Sequence, residues 1–143
     1  MKARHILYLV VVAGAIALAL NSCQLLGIVS ISDRISDFQS SLNNSDRSQG
    51  YQNFLTTASD YDAVKSTTFG LWATTFPTGN SPYSLSITDQ SNSSAVAVTV
   101  TGSNSFPTLY LQIGFQSTGI GNNLISTVAT SSAPGGPFTT IFQ

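Results

Sequence analysis

An α+β domain behind an export segment is what this sequence predicts. Apolar residues recur at spacings of three and four between residues 28 and 42, and the period changes to two after Pro82. The alternating segments are joined by turn-rich links of about six residues, which makes neighbouring strands antiparallel. Helices first and strands after them is the order of an α+β domain. It would carry two to three N-terminal helices packed on one face of an antiparallel sheet of four to five strands. A β-sandwich on a helical stalk is the alternative, although an immunoglobulin-like sandwich asks for about seven strands.

The helical elements come first. Ile28, Ile31, Ile35, Phe38 and Leu42 form one apolar stripe, with Ser30, Asp33, Asp37 and Ser41 between them facing water. Asn43-Asn44-Ser45-Asp46 ends that helix, because Asn and Asp side chains compete for local backbone bonds. Tyr51, Phe54, Leu55 and Ala58 predict a second, short helix after Gly50. Ser59 with Asp62 three residues on has the spacing of an N-cap and its partner. A third helix is expected from about Asp60 to Phe69, with Tyr61, Val64 and Thr68 inward, ended by Gly70 and barred from continuing by Pro77.

The strands follow. Tyr83, Leu85 and Ile87 alternate with Ser84, Ser86 and Thr88, and Val96, Val98 and Val100 alternate with Ala97, Thr99 and Thr101. Leu109, Leu111, Ile113 and Phe115 alternate with Tyr110, Gln112 and Gly114. A fourth strand covers about 124–130, and a brief edge strand about 138–142 follows the loop Ala133-Pro134-Gly135-Gly136-Pro137. Gly119-Ile120-Gly121 is a turn: it follows an antiparallel strand and opens no helix, so it lacks the setting of a phosphate loop.

Composition narrows the function classes. The chain has 143 residues, of which 42% are hydrophobic and only 8% charged, and it contains no Glu. From residue 23 onward Arg34, Arg47 and Lys65 stand against Asp33, Asp37, Asp46, Asp60, Asp62 and Asp89, a formal charge of −3. No basic run is present, so nucleic acid is not an expected partner. With one cysteine no internal disulfide forms, and a chain of this size can bury about two-thirds of its unfolded surface in one core.

The first residues read as an export signal. Lys2 and Arg4 precede residues 6–20, fifteen consecutive apolar or small residues. That run falls short of the roughly 20 needed to span a bilayer and suits a signal-peptide core. It ends at Leu20-Asn21-Ser22-Cys23, which resembles the lipobox of bacterial lipoprotein precursors, with Asn21 standing where a small residue is usual. The resemblance implies a signal peptide over 1–22, cleavage before Cys23, and a thioether-linked lipid with an amide-linked acyl chain (palmitate chemistry) on that cysteine. Residues 23–27 would be the lipidated N-terminus and tether, and 28–143 one globular domain. Two acyl anchors suffice for stable attachment. Gln24 stands where an Asp would retain the protein at the inner membrane, so the outer membrane is the favoured site in the cell envelope.

A second resemblance concerns the domain. The Leu42-Asn43-Asn44-Ser45-Asp46 helix end, Tyr51 and Phe54, then Phe69, Trp72 and Phe76 before a strand meander are similar to the nuclear-transport-factor-2-like (cystatin-like) family over about 28–142. The resemblance implies a curved sheet wrapped round the helices, enclosing a conical pocket.

Candidate chemistry is sparse. The only histidine, His5, lies in the signal segment, so the domain lacks His, Glu and an unlipidated thiol. That removes the Ser-His-Asp arrangement and the common zinc sites; no catalytic residue, metal or cofactor is expected. Asp33 and Asp37 read as solvated surface, and Asp60 and Asp62 as carboxylates at a helix start. Phe69 and Trp72, with Tyr110, are candidate core or pocket aromatics. The expectation is a non-enzymatic, membrane-anchored interaction module that contacts membrane lipid through Cys23 and a protein partner. The alternatives are a binder of a small apolar ligand, and an isomerase- or dehydratase-like enzyme using Asp60 or Asp62 with Tyr61.

Overall fold

The computed structural model describes residues 28–66, 71–92, 94–119 and 121–143, with the side chains of Leu71 and Trp72 outside that description. The signal segment, Cys23 with its lipobox, the tether, Thr68, Phe69, Gly70 and Ile120 all lie outside the described residues.

Five strands form one open antiparallel sheet: β1 (Ser84–Asp89), β2 (Val96–Thr101), β3 (Leu109–Ser117), β4 (Asn123–Ser131) and β5 (Thr139–Phe142). Their order is that of the chain, β1-β2-β3-β4-β5, as short links between successive antiparallel strands require. Bulges interrupt the ladders between Ile87 and Asp89, between Gly114 and Phe115, and between Val128 and Ala129.

One substantial helix, α1 (Ile31–Asn43), packs against the inner face of this sheet. Ser30 starts it with a reciprocal cap: Asp33 N–H donates to Ser30 Oγ at 3.1 Å, and Ser30 N–H reaches back to the Asp33 carboxylate at 3.4 Å. The stripe Ile35, Phe38 and Leu42 is buried, with Ile31 half-buried beside it, against Val96, Val98, Val100, Leu111, Ile113, Ile125, Val128 and Phe142 of the sheet. Burial of each large apolar side chain contributes roughly 1.5–3 kcal/mol.

Between helix and sheet runs a row of edge-to-face aromatics. Phe142 meets Phe54 at 4.6 Å, Phe54 meets Phe38 at 5.7 Å, and Phe38 meets Phe76 at 6.1 Å. Phe76 then meets Tyr83 at 5.5 Å, and Tyr83 meets Phe106 at 5.0 Å. Such pairs add about 0.5–1.5 kcal/mol each beyond their area.

The segment after α1 differs from the helices expected of it. Around Tyr51 only a 3₁₀ turn forms, Gly50–Asn53, after which Phe54 runs extended and bridges Ile125 in parallel. Leu55 N–H donates to Ile125 O at 2.8 Å, so the chain here follows the start of β4 and both Phe54 and Leu55 are buried. The third helix shrinks to α2, Tyr61–Val64, and Ser59 does not cap it. Ser59 Oγ instead donates to Gln143 O at 2.6 Å, while Gln143 N–H donates to the Asp60 carboxylate at 3.0 Å. Competition from the end of β5 therefore replaces the expected local cap. A π-helical turn, Leu71–Thr75, and a 3₁₀ turn, Thr78–Asn80, lead into β1.

Polar side chains fasten both ends of α1. At its start Arg34 is buried: Nε donates to Asn123 O at 2.8 Å, Nη1 to Asn53 Oδ1 at 3.1 Å and Nη2 to Asn122 Oδ1 at 2.9 Å. At its end Asn43 Nδ2 donates to Tyr83 O at 2.8 Å and Asn43 Oδ1 accepts from Tyr83 N–H at 2.6 Å. One turn earlier, Gln39 Oε1 accepts from Leu85 N–H at 2.6 Å. β1 lies at the edge of the sheet, and these side chains satisfy backbone groups there that have no neighbouring strand.

Two predictions follow from these contacts. Asn43→Ala leaves a donor and an acceptor of Tyr83 without their partner, and is expected to cost about 2–4 kcal/mol. Ser40→Ala on the exposed side of the same helix should stay within about 0.5 kcal/mol. Urea denaturation of both variants checks the pair, and equal midpoints would refute the edge-satisfying role. In the β2–β3 link, Phe106 N–H donates to Ser103 O, and Asn104 and Ser105 between them have φ of 51° and 60°. Two successive left-handed residues define a type I′ turn, which favours glycine. Ser105→Gly should therefore raise stability by about 0.5–1 kcal/mol in the same measurement.

Candidate functional site

The inner face of the sheet is occupied by its own core. Phe38, Phe54, Phe76, Tyr83 and Phe142 are each at most 2% exposed and fill the volume between α1 and the strands. The described residues thus place close-packed aromatic rings where the conical pocket was expected.

The carboxylates are scattered. Asp33 belongs to the helix cap and Asp37 pairs with Arg34 at 3.7 Å across side chains that are 58% and 9% exposed. Asp60 holds the backbone of Gln143, and Asp62 is exposed in the first turn of α2. Asp46 and Asp89 accept from the N–H groups of Ser48 and Ser91, and those bonds hold both carboxyls below the usual carboxylate range. Among the described residues no three metal-ligating side chains converge. Tyr61, named beside Asp60 and Asp62, stacks edge-on with Tyr51 at 6.1 Å, and Lys65 Nζ sits 5.5 Å above the Tyr51 ring.

The cations are likewise committed. Arg34 is buried in its hydrogen-bond set, and burial pushes its guanidinium below the ordinary arginine value, with Asp37 opposing. Arg47 is 6% exposed, and its Nη1 donates to Phe76 O at 2.5 Å. Burial lowers Arg47 too, with the Tyr83 hydroxyl opposing. Ser45, Asp46, Arg47, Ala73, Pro77, Thr78 and Gly79 line an open cleft of about 480 Å³ here.

A second cleft among the described residues lies on the outer face of the sheet. Strand alternation sends Ser84, Ser86 and Thr88 of β1, Ala97, Thr99 and Thr101 of β2, and Tyr110 and Gln112 of β3 away from the core. The register sets Ser86, Thr99, Tyr110 and Ser131 in one row across four strands, and Ala97, Gln112, Ala129 and Thr140 in the next. Gly114 faces Thr127 in the following row, and a Cβ there would overlap the Thr127 hydroxyl and meet Ser94 O at 3.0 Å. The β4–β5 link folds over this face. Pro134, Gly135 and Phe138 then border a groove of about 210 Å³ whose other walls are Thr88, Ala97, Thr99 and Tyr110.

Of the site residues expected from sequence, Tyr110 lies in this groove. Phe69 and the Trp72 side chain fall outside the description, as do Cys23, Leu20, Asn21 and Ser22. Phe138, Thr88 and Thr99 are the residues that sequence reasoning passed over. Their signal was the alternation itself, which puts one large aromatic, Tyr110, among small uncharged side chains. Comparison with protein families, curated proteins and solved structures finds no match to this chain. Among the described residues no helix is long and apolar enough to cross a membrane.

Tyr83 offers a pH test of the packing. Its hydroxyl donates to Pro77 O at 2.6 Å, and burial raises its pKa above the ordinary phenol value, with Arg47 opposing. A raised folded pKa means that this contribution to stability is complete below the ordinary phenol pKa. It is lost as pH rises through the raised value. In an alkaline ultraviolet titration Tyr83 should ionise in a late phase above the ordinary phenol range, together with loss of the folded far-ultraviolet signal. Tyr83→Phe should remove that late phase; a variant with the late phase intact would refute the assignment.

Proposed function

We propose that this protein is a lipid-anchored component of the bacterial cell envelope whose domain is a non-enzymatic recognition module. The outer sheet face is its contact surface. The observation that carries the reading is the division of labour between the two faces of the sheet. The inner face is sealed by α1 and its aromatic row, while the outer face bears a groove flanked by uncharged side chains. Recognition sites of this kind combine an apolar floor with a few polar groups that fix orientation.

Three lines support the anchor. The single cysteine directly follows Leu20-Asn21-Ser22, the fifteen-residue apolar run is too short to span comfortably, and a pair of basic residues precedes it. The described domain adds no membrane-crossing helix of its own. The resemblance to nuclear-transport-factor-2-like proteins is retained as an architectural proposal, helical segments against a bent meander. Its conical pocket has no support among the described residues, where aromatic rings take that volume. The scattered carboxylates and a described chain without His, Cys or Glu favour binding over turnover.

The decisive experiment is metabolic labelling with a palmitate analogue in a bacterial host. The wild-type chain should take up label and lose the mass of residues 1–22, and Cys23→Ala should do neither. Equal labelling of the two proteins would overturn the anchor.

A further inference from the structure

We propose that the outer groove of the sheet is a binding subsite for a neutral glycan, with the Tyr110 ring as the platform for one sugar. The inference rests on the recognition-module reading and names the ligand class of the same face. Three features select that class.

Charge is the first. The described cations are all engaged elsewhere: Arg34 and Arg47 are buried among α1, Asn53, Asn122, Phe76 and Tyr83, and Lys65 lies over Tyr51 and Tyr61. Asp33, Asp37, Asp46, Asp60 and Asp62 belong to α1 and the segment after it. Asp89 ends β1 opposite Ala97, at the border of the groove, with its carboxylate accepting from the Ser91 N–H. An anionic ligand in the groove would give up solvation, find no cation among the lining residues and meet Asp89 at the border. A neutral one loses nothing of that kind.

Shape and floor are the second. The groove is open to solvent and offers about 210 Å³, the scale of a single pyranose ring, between Tyr110 and the Pro134-Gly135 link with Phe138 beside it. Tyr110 and Phe138 are half-buried and still present surface to the groove. A sugar ring offers an apolar C–H face to such a ring, while the phenol supplies a polar edge.

Hydrogen-bond groups are the third. Thr99 walls the groove with Thr88, whose hydroxyl donates to Ala97 O at 3.3 Å and keeps its acceptor side, Ser86 pairs with Thr99, and Gln112 lies two residues along β3 from Tyr110. Hydroxyl and amide groups both donate and accept, which matches the hydroxyls of a glycan. The row is buried at Ser131 of β4 and stays open toward Thr99 and the exposed Ser86 of β1, the direction in which a chain of sugars can extend.

The test uses the full chain in a detergent without a sugar head group, so that the detergent does not compete. Cellohexaose and chitohexaose are titrated calorimetrically, with heparin as the anionic counterpart. One of the neutral hexasaccharides should bind and heparin should not. Tyr110→Ala should weaken binding at least about tenfold, equivalent to about 1.4 kcal/mol. Tyr110→Phe should stay within about threefold of wild type, because the ring is kept. Thr99→Val, which preserves volume and removes a hydroxyl, should weaken binding by a smaller factor. Thermal midpoints of the three variants exclude unfolding as the cause.

Failure of both hexasaccharides to bind, equal binding by Tyr110→Ala, or preference for heparin overturns the glycan inference. Those outcomes leave the palmitate-labelling result untouched, so they are distinguishable from failure of the anchor. Cleavage of a bound hexasaccharide would instead overturn the non-enzymatic reading.

Discussion

Everything else in this domain depends on how one thirteen-residue helix is held against a five-stranded sheet. A sheet with one apolar face needs a cover, and α1 with its aromatic row is the main one. Hydrophobic contact alone is non-directional and would let a short helix slide or rotate on a surface of Val, Leu and Ile. The polar clamps remove that freedom. Arg34 fixes the start of α1 to the beginning of β4, and Gln39 and Asn43 fix its end to the open edge of β1. The helix therefore spans the sheet from its fourth strand to its first, and the Phe38 side chain sits between the clamps at the centre of the aromatic row.

The same clamps address the exposed edge that every open sheet carries. β1 offers backbone groups to solvent and to other chains, and Gln39 with Asn43 occupies those at Tyr83 and Leu85. At the opposite edge β5 is short, and Ser59 and Asp60 take the backbone of its last neighbour, Gln143. Segments without regular structure thus do for the edges what additional strands would do in a closed barrel. The loop-like stretch between α1 and β1 consequently has a structural task despite its scarcity of helix.

Features with a local cause were legible in the sequence. The stripe Ile31, Ile35, Phe38, Leu42 and the alternation of Val96, Val98 and Val100 specify their elements through spacing alone and occur where expected, whereas Ile28, expected to open the stripe, precedes the helix and is exposed. Tyr51, Phe54, Leu55 and Ala58 also carry helical spacing, yet Leu55 pairs with Ile125, a long-range partner that no local pattern reveals. Arg34 is the sharper case. Its three acceptors lie 89, 19 and 88 residues away along the chain, and in sequence it reads as one more charge on a helix. The groove was half legible: alternation places Tyr110 on the outer face, but only the folding-back of the β4–β5 link adds Pro134 and Phe138 beside it.

The use of charge links fold to surface. A domain with three cations spends two of them inside, where a guanidinium can satisfy several carbonyl and amide oxygens at once. The third rests against aromatic rings. What remains for solvent is the exposed Lys65 against a larger number of carboxylates, so electrostatic attraction of the domain to anionic lipid head groups is weak. A lipid anchor would then hold the chain at a membrane while leaving the domain itself unadsorbed and its outer sheet face open. The residues that stabilise the fold and those that border the groove are for the most part on opposite faces of the same strands. Period-two alternation thereby lets the outer face vary its side chains with little consequence for the core, except at Gly114, where Thr127 and Ser94 leave no room.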